Sequence, residues 1–244
     1  MIAVFRQFKG LVESNNPGVT GDIQVGAHLD GWVWAIPIWA DTISIGAVMP
    51  RDVLRDRDPE QVLNQQINRI PRINQRIAGS EPAGAVRIEA DYCYYADTIA
   101  GPGWLMVGDA ACFFDPIFSG GVTIAMATGK RAADTVDRMI STPESENDLS
   151  DDYSNFLKTG YDTYARLIYS HYKHRYNIMP TLAEMGVDLH DGNLAENRSL
   201  IRLMCGDFWN QDNIVGEPLR KHSDFDTFAP FAPVYECPFY GADA

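Results

Sequence analysis

Positive charge is scarce in this sequence. Lysine occurs only at positions 9, 130, 158, 173 and 221, and Lys plus Arg totals 20 against 33 Asp plus Glu, a formal net charge of −13. That balance excludes a general nucleic-acid binder, which needs a basic footprint, and disfavours docking on anionic lipid. Long apolar runs are also missing. None approaches the roughly 20 residues of a membrane helix, and Met1 to Gly10 lacks the apolar core of a signal peptide. Cys93, Cys112, Cys205 and Cys237 form no Cys-x-x-Cys pair. They read as reduced thiols of a cytoplasmic protein, not a disulfide frame or a zinc site. Of His28, His171, His174, His190 and His222, only His171 and His174 have a spacing that shares a helix face. No carboxylate partner is evident for them, so surface or capping roles are expected and no metal site is. Gly-x-Ser-x-Gly, a Walker loop and internal repeats are absent.

What remains is ordinary globular material. The 244 residues are 45% hydrophobic and 22% charged, enough for one large domain or two small ones with a sizeable core. The first third is β-rich. Ile23, Val25, Ala27 and Leu29 alternate onto one face, Asp30-Gly31 signals a hairpin, and Trp32–Trp39 and Thr42–Met49 complete a three-stranded meander turned at Ala40-Asp41. Pro37 belongs near a strand end or edge. Asp58-Pro59-Glu60 starts a helix that carries Val62, Leu63, Ile67 and Ile70 to Pro71. Val86–Tyr95 is a further strand, and Trp104–Val107 a short buried one. A helix follows with Val122, Ala125, Met126, Gly129, Ala132, Ala133, Val136 and Ile140 at core spacing. Residues 141–150 read as an acidic connector, with Asp151 and Asp152 favouring the helix start that follows. Residues 151–182 form a tyrosine-rich helix ended or kinked by Pro180, Leu194–Cys205 another helix, and the tail from Asn210 is irregular. The pattern divides into a β-rich region at 1–100, a strand–loop–helix at 101–142 and a helical region at 151–244.

Two segments carry chemistry. The first runs from Gly108-Asp109-Ala-Ala through Asp115-Pro116-Ile-Phe118-Ser-Gly120-Gly121-Val122. Gly108 lets a ligand approach the backbone. Asp109 can accept from sugar-like hydroxyls. Ser119-Gly120-Gly121 offers backbone N–H groups at a helix start, where the macrodipole favours an anion. An ordinary connection with Asp109 as a turn residue fits the local pattern equally well. The second segment is Trp32-Val-Trp34-Ala-Ile-Pro37, whose tryptophans share a strand face and, taken alone, read as core. The tyrosines between Tyr153 and Tyr176 read as a packing stripe that could also line an aromatic acyl pocket. Lys130 reads as a solvated surface residue.

Together the two segments resemble the flavin-dependent halogenases. Trp-x-Trp-x-Ile-Pro at 32–37 matches that family's tryptophan motif. Gly-Asp-Ala-Ala at 108–111 and Asp-Pro-x-Phe-Ser-x-Gly-Val at 115–122 are similar to its second FAD-binding motif, and Ser44–Val48 is also similar. The resemblance covers residues 1 to about 140. It implies an α+β fold, part of an α/β flavoprotein: a β-sheet substrate layer, the C-terminal half of the FAD-binding fold and a helical C-terminal region. It implies FAD, O2 and chloride or bromide, with a flavin reductase supplying reduced FAD. The substrate it implies is an electron-rich aromatic small molecule or an aromatic acyl group tethered to a carrier protein, in secondary-metabolite biosynthesis. Residue by residue, it implies that Gly108, Asp109, Pro116, Phe118, Gly121 and Val122 bind the flavin. Gly120 and Gly121 would hold the halide, and Trp32 and Trp34 would shield the site.

The sequence departs from the family at several points. The N-terminal Gly-x-Gly-x-x-Gly that binds the ADP half of FAD is absent, and none of the five lysines matches the family's catalytic one. The chain therefore reads as a C-terminal fragment. Phe118 stands where free-tryptophan halogenases carry an acid, which resembles the branch acting on phenols, pyrroles or carrier-bound acyl groups. Thr123 replaces a histidine and Gly120 a serine common in that branch. Two other readings stay open: a halide-independent FAD monooxygenase or oxidoreductase, and an inactive remnant or binding module.

Overall fold

The computed structural model describes residues 1–12, 21–39, 41–187, 194–222 and 228–236. Ala40, His190 and Cys237 lie outside the described residues. The chain divides into two compact units, Met1–Asp91 and Tyr92–Ala244.

The first unit is an antiparallel sheet in the order β2-β3-β4-β1-β5. Its strands are β1 (Ile2–Lys9), β2 (Gln24–His28), β3 (Gly31–Trp39), β4 (Thr42–Met49) and β5 (Glu81–Ala90). The meander β2-β3-β4 is the expected one. Pro37 sits near the end of β3, where the register with β4 shifts. β1, which no sequence signal singled out, lies between β4 and β5. Helix α1 (Pro59–Asn68) begins at the expected cap, the Asp58 carboxylate accepting from the Gln61 N–H at 3.2 Å. Val62, Leu63 and Ile67 on α1 and Ile73 on α2 (Pro71–Arg76) bury the sheet face made by Val4, Val33, Ala35, Ile45 and Ala47.

β2 faces the opposite way from expectation. Ile23, Val25 and Leu29 are exposed. Gln24, Gly26 and His28 are the half-buried positions, and a Cβ at Gly26 would lie 2.5 Å from the Ile70 side chain. The missing side chain at Gly26 is what admits Ile70, so the glycine and not the apolar alternation decides which face of this edge strand turns in.

The second unit is mainly helical: α3 (Gly121–Ser141), α4 (Glu146–Lys173), α5 (Met179–Glu184), α6 (Leu194–Met204) and α7 (Gly216–Lys221). Two short ladders accompany the helices. β6 (Tyr94–Tyr95) pairs with β9 (Cys112–Phe113), and β7 (Ala100–Gly101) with β8 (Trp104–Leu105). Five expectations change here. Val86–Tyr95 is not one strand, because Asp91 takes a left-handed φ of 56° between β5 and β6. Trp104–Val107 shrinks to the two-residue β8, and Trp104 is exposed. The acidic connector shortens, since α4 begins at Glu146 with Glu146 and Asp148 in its first turn. α4 ends at Lys173, where the positive φ of Arg175 and Tyr176 turns the chain, and Pro180 instead opens α5. α7 interrupts the irregular tail.

α3 also turns a different face inward than its apolar spacing suggests. Ile124, Ala127, Thr128, Ala132 and Thr135 are buried, while Val122 is 72% and Ile140 75% exposed. The buried positions are mostly small residues and threonines. Thr128 and Thr135 enter the core because each hydroxyl donates back to a carbonyl four residues earlier, both at 2.8 Å. Among the described residues no helix is long and apolar enough to cross a membrane, and no group of three His, Cys, Asp or Glu side chains could hold a metal ion.

Candidate functional site

In the first unit, β2-β3-β4 pairing places Trp32 and Trp34 on the sheet face opposite α1, beside Val48 and Gly46. Trp32 is buried and Trp34 half-buried. The two rings lie 5.8 Å apart, and Phe5 packs on Trp34 at the same distance. Gly46 makes this possible, because a Cβ there would fall 2.2 Å from the Trp34 ring. The Trp34 indole N–H donates to the Ser44 hydroxyl at 3.1 Å. The tryptophans therefore form their own aromatic row and do not join the helix-covered core.

In the second unit, the segment 107–125 lines a cleft of about 530 Å3 together with Tyr161 and Tyr164 of α4. Gly108 takes a positive φ of 53°, and a Cβ on it would meet that of Ala125 at 2.9 Å. Only glycine lets the turn rest on α3 here, and the Thr128 hydroxyl accepts its N–H at 3.1 Å. Asp109 follows in a one-turn 3-10 helix and is exposed. Its backbone carbonyl accepts from the Tyr94 hydroxyl at 2.7 Å, and its carboxylate lies 3.8 Å from where a Cβ of Gly121 would stand. The Asp109 carboxylate and the start of α3 thus face each other across one cleft.

Pro116–Phe118 is a second 3-10 turn, capped by the Asp115 carboxylate on the Ile117 N–H at 3.0 Å. Ser119 ends it in the left-handed conformation, with φ 53°, which costs energy for a residue with a side chain. Tyr164 holds the bend. Its hydroxyl donates to the Asp115 carbonyl at 2.9 Å and accepts the Gly120 N–H at 3.2 Å. A Cβ at Gly120 would stand 2.9 Å from the Tyr164 ring.

Of the residues expected in the site, Gly108, Asp109, Pro116, Gly121 and Val122 line the cleft together. Phe118 lies outside that lining, with its ring 5.1 Å from His171. Gly120 is buried and its N–H is taken by Tyr164, so the pair of halide donors expected from sequence is reduced to the Gly121 side of the bend. At Gly121 and Val122 the first-turn N–H groups of α3 have no upstream carbonyl to satisfy them. Thr123 packs against Gly206, where a Cβ would meet its methyl at 2.3 Å. Lys130 is a surface residue paired with Asp134 at 2.9 Å. His174 lies 3.9 Å from Glu184, a carboxylate neighbour the sequence did not reveal.

Sequence reasoning missed how the tyrosines act. Tyr92 and Tyr172 both donate to the buried Asp115 carboxylate, at 3.4 and 3.0 Å. Burial pushes the Asp115 pKa up to about 6, against the pull of the hydrogen bonds from Ile117, Tyr172 and Tyr92. The folded pKa lies above the unfolded value of 3.8, so between those values the folded state holds the extra proton. The stability Asp115 contributes is therefore full below about pH 4 and is lost as pH rises through about 6, on the order of 2–3 kcal/mol in all. Asp115→Asn is expected to remove that part of the pH dependence. Urea midpoints at pH 4.5 and pH 7 check this, and parallel changes in both proteins would contradict it.

The chain is similar to known proteins. The chain is 37% identical over 142 residues to a 1H-pyrrole-2-carbonyl-[peptidyl-carrier protein] brominase of Pseudoalteromonas luteoviolacea, covering 57% of this chain and 35% of that protein. It is 30% identical over 199 residues to the flavin-dependent halogenase gsfI of Penicillium aethiopicum, covering 75% of this chain and 37% of that one. The chain thus spans little more than a third of the length of these relatives. The solved structure of the flavin-dependent brominase Bmp2 superposes with a TM-score of 0.74 at 26% identity, over 90% of this chain and 54% of that one. The family model for tryptophan halogenase matches residues 8–178, which takes in both the tryptophan row and the glycine-lined cleft. By that match, over more than half its length, the chain belongs to the tryptophan halogenase family.

Proposed function

We propose that this chain acts in a flavin-dependent halogenase, an oxidoreductase that uses reduced FAD, O2 and chloride or bromide to halogenate an electron-rich aromatic compound of secondary metabolism. The observation that carries this reading is the cleft in which the Asp109 carboxylate faces the first turn of α3. An acceptor for polyol hydroxyls and donors for an anion then share one space. The residues fit the cofactor, because Gly108 and Gly121 line the cleft without side chains and the exposed Asp109 lines it beside them.

When bound, reduced FAD supplies, with O2, the oxidising power that makes halide electrophilic. Asp109 would accept from the ribityl hydroxyls. The N–H groups of Gly121 and Val122, at the positive end of α3, would hold the halide or a polar edge of the flavin. Tyr164 keeps the bend at 115–120 in place. Trp32 and Trp34 carry the family's tryptophan motif, whose role would be to suppress ordinary monooxygenation of the substrate. Similarity to the carrier-protein pyrrole brominase supports a carrier-tethered aromatic acyl group as substrate. A separate flavin reductase would supply the reduced cofactor, in the cytoplasm.

A halide-independent FAD monooxygenase is the second reading, favoured by the Gly120 N–H being already engaged. The test is product analysis of the full-length enzyme with reduced FAD, O2 and bromide on a panel of phenols and carrier-bound pyrroles. Brominated products are expected. Hydroxylated products that form without halide would replace this reading with the second.

A further inference from the structure

Tyr161 on α4 is 2% exposed, and its hydroxyl has no hydrogen-bond partner among the described residues. Buried tyrosine hydroxyls nearly always find one. Of the buried unpartnered side-chain atoms, this is the one whose residue lines the glycine-loop cleft. The contrast with Tyr164, one helical turn further on, is direct. Tyr164 lines the same cleft with its hydroxyl fully used, by the Asp115 carbonyl and the Gly120 N–H. The Tyr161 ring is fixed against Phe114 at 5.9 Å, so the orphan hydroxyl is held in place.

The chemistry of the missing partner follows from the surroundings. Burial first, then Cys112 and Asp109, raise the Tyr161 pKa, so the phenol stays a neutral donor. A neutral phenol buried among apolar groups pairs with an uncharged oxygen or nitrogen acceptor, which brings no charge to desolvate. We propose that Tyr161 is a flavin-binding residue, its hydroxyl donating a hydrogen bond to an uncharged acceptor of the cofactor. This rests on the flavin reading of the cleft given above.

Tyr161→Phe tests it, because it removes the hydroxyl and keeps the ring. Two readouts move in opposite directions. Without flavin, the variant no longer buries an unsatisfied hydroxyl, and its melting temperature is expected to rise by about 2–6 °C. In an FAD titration followed by flavin fluorescence, its dissociation constant is expected to weaken about 2- to 12-fold, the worth of one neutral hydrogen bond. A purely structural tyrosine would not give that pair of shifts. A lower melting temperature would show that the hydroxyl has a partner inside the protein and overturn the assignment. Unchanged FAD affinity, with Asp109→Ala weakened in the same assay, would overturn the Tyr161 assignment alone. If the unsubstituted chain takes up no FAD, the flavin reading falls and this assignment with it.

Discussion

Trp209→Ala is expected to destabilise the chain by about 3–5 kcal/mol, the cost of emptying a large aromatic site in a core. Trp209 is 1% exposed. Its ring stacks on Phe156 at 4.8 Å and 9°, and its indole N–H donates to the Phe156 carbonyl at 2.7 Å. The space for it is made by Gly160 in the middle of α4, where a Cβ would stand 2.0 Å from the ring. A glycine inside a helix ordinarily costs up to about 1 kcal/mol relative to alanine, and here that cost is offset by the tryptophan it admits. Gly160→Ala should therefore lower stability, by about 1–3 kcal/mol of overpacking, where an exposed helical glycine would gain from the same change. Urea unfolding of both variants checks the pair. A more stable Gly160→Ala would show that the Trp209 ring does not lie over that position.

The second large effect concerns the loop. Tyr164→Phe leaves the buried Gly120 N–H without its acceptor and the Asp115 carbonyl without its donor. A buried group left unsatisfied costs about 1–3 kcal/mol, so a loss of about 2–3 kcal/mol is expected. The left-handed Ser119 relies on the same clamp, and its strain should relax once the clamp is gone. Amide hydrogen exchange gives the local reading. Protection at Gly120 should fall sharply in Tyr164→Phe while the amides of β1 and β4 keep theirs. Unchanged exchange at Gly120 would mean that the loop is held by other contacts.

Local signals made part of this molecule legible from sequence. Asp30-Gly31 announces the β2-β3 hairpin, Asp58-Pro59 announces α1, and Gly108-Asp109 with Gly120-Gly121 announces the cleft. Each is a backbone requirement confined to a few adjacent residues. What was not legible depends on contacts between distant residues. The side chain missing at Gly26 matters only because Ile70 packs there. The inward face of α3 carries Thr128, whose hydroxyl meets the Gly108 N–H twenty residues earlier, a contact that apolar spacing does not announce. The tyrosines of α4 read as a stripe, and their spacing does place them on shared faces. Nothing in that spacing says that Tyr164 reaches the backbone of Gly120 and Asp115, or that the Tyr161 hydroxyl has no hydrogen-bond partner among the described residues. The reassignment of Gly120 from free donor to engaged donor has the same origin, since the partner is 44 residues away.

FAD binding by the 244-residue chain shows whether the Gly108–Val122 loop forms a flavin site. Tryptophan quenching and flavin fluorescence, each with and without chloride, read the binding. Saturable uptake is expected, weakened at least several-fold by Asp109→Ala, with the melting temperature of the variant close to that of the parent because Asp109 is exposed. Binding of equal strength in Asp109→Ala, or none in the parent chain, would contradict it.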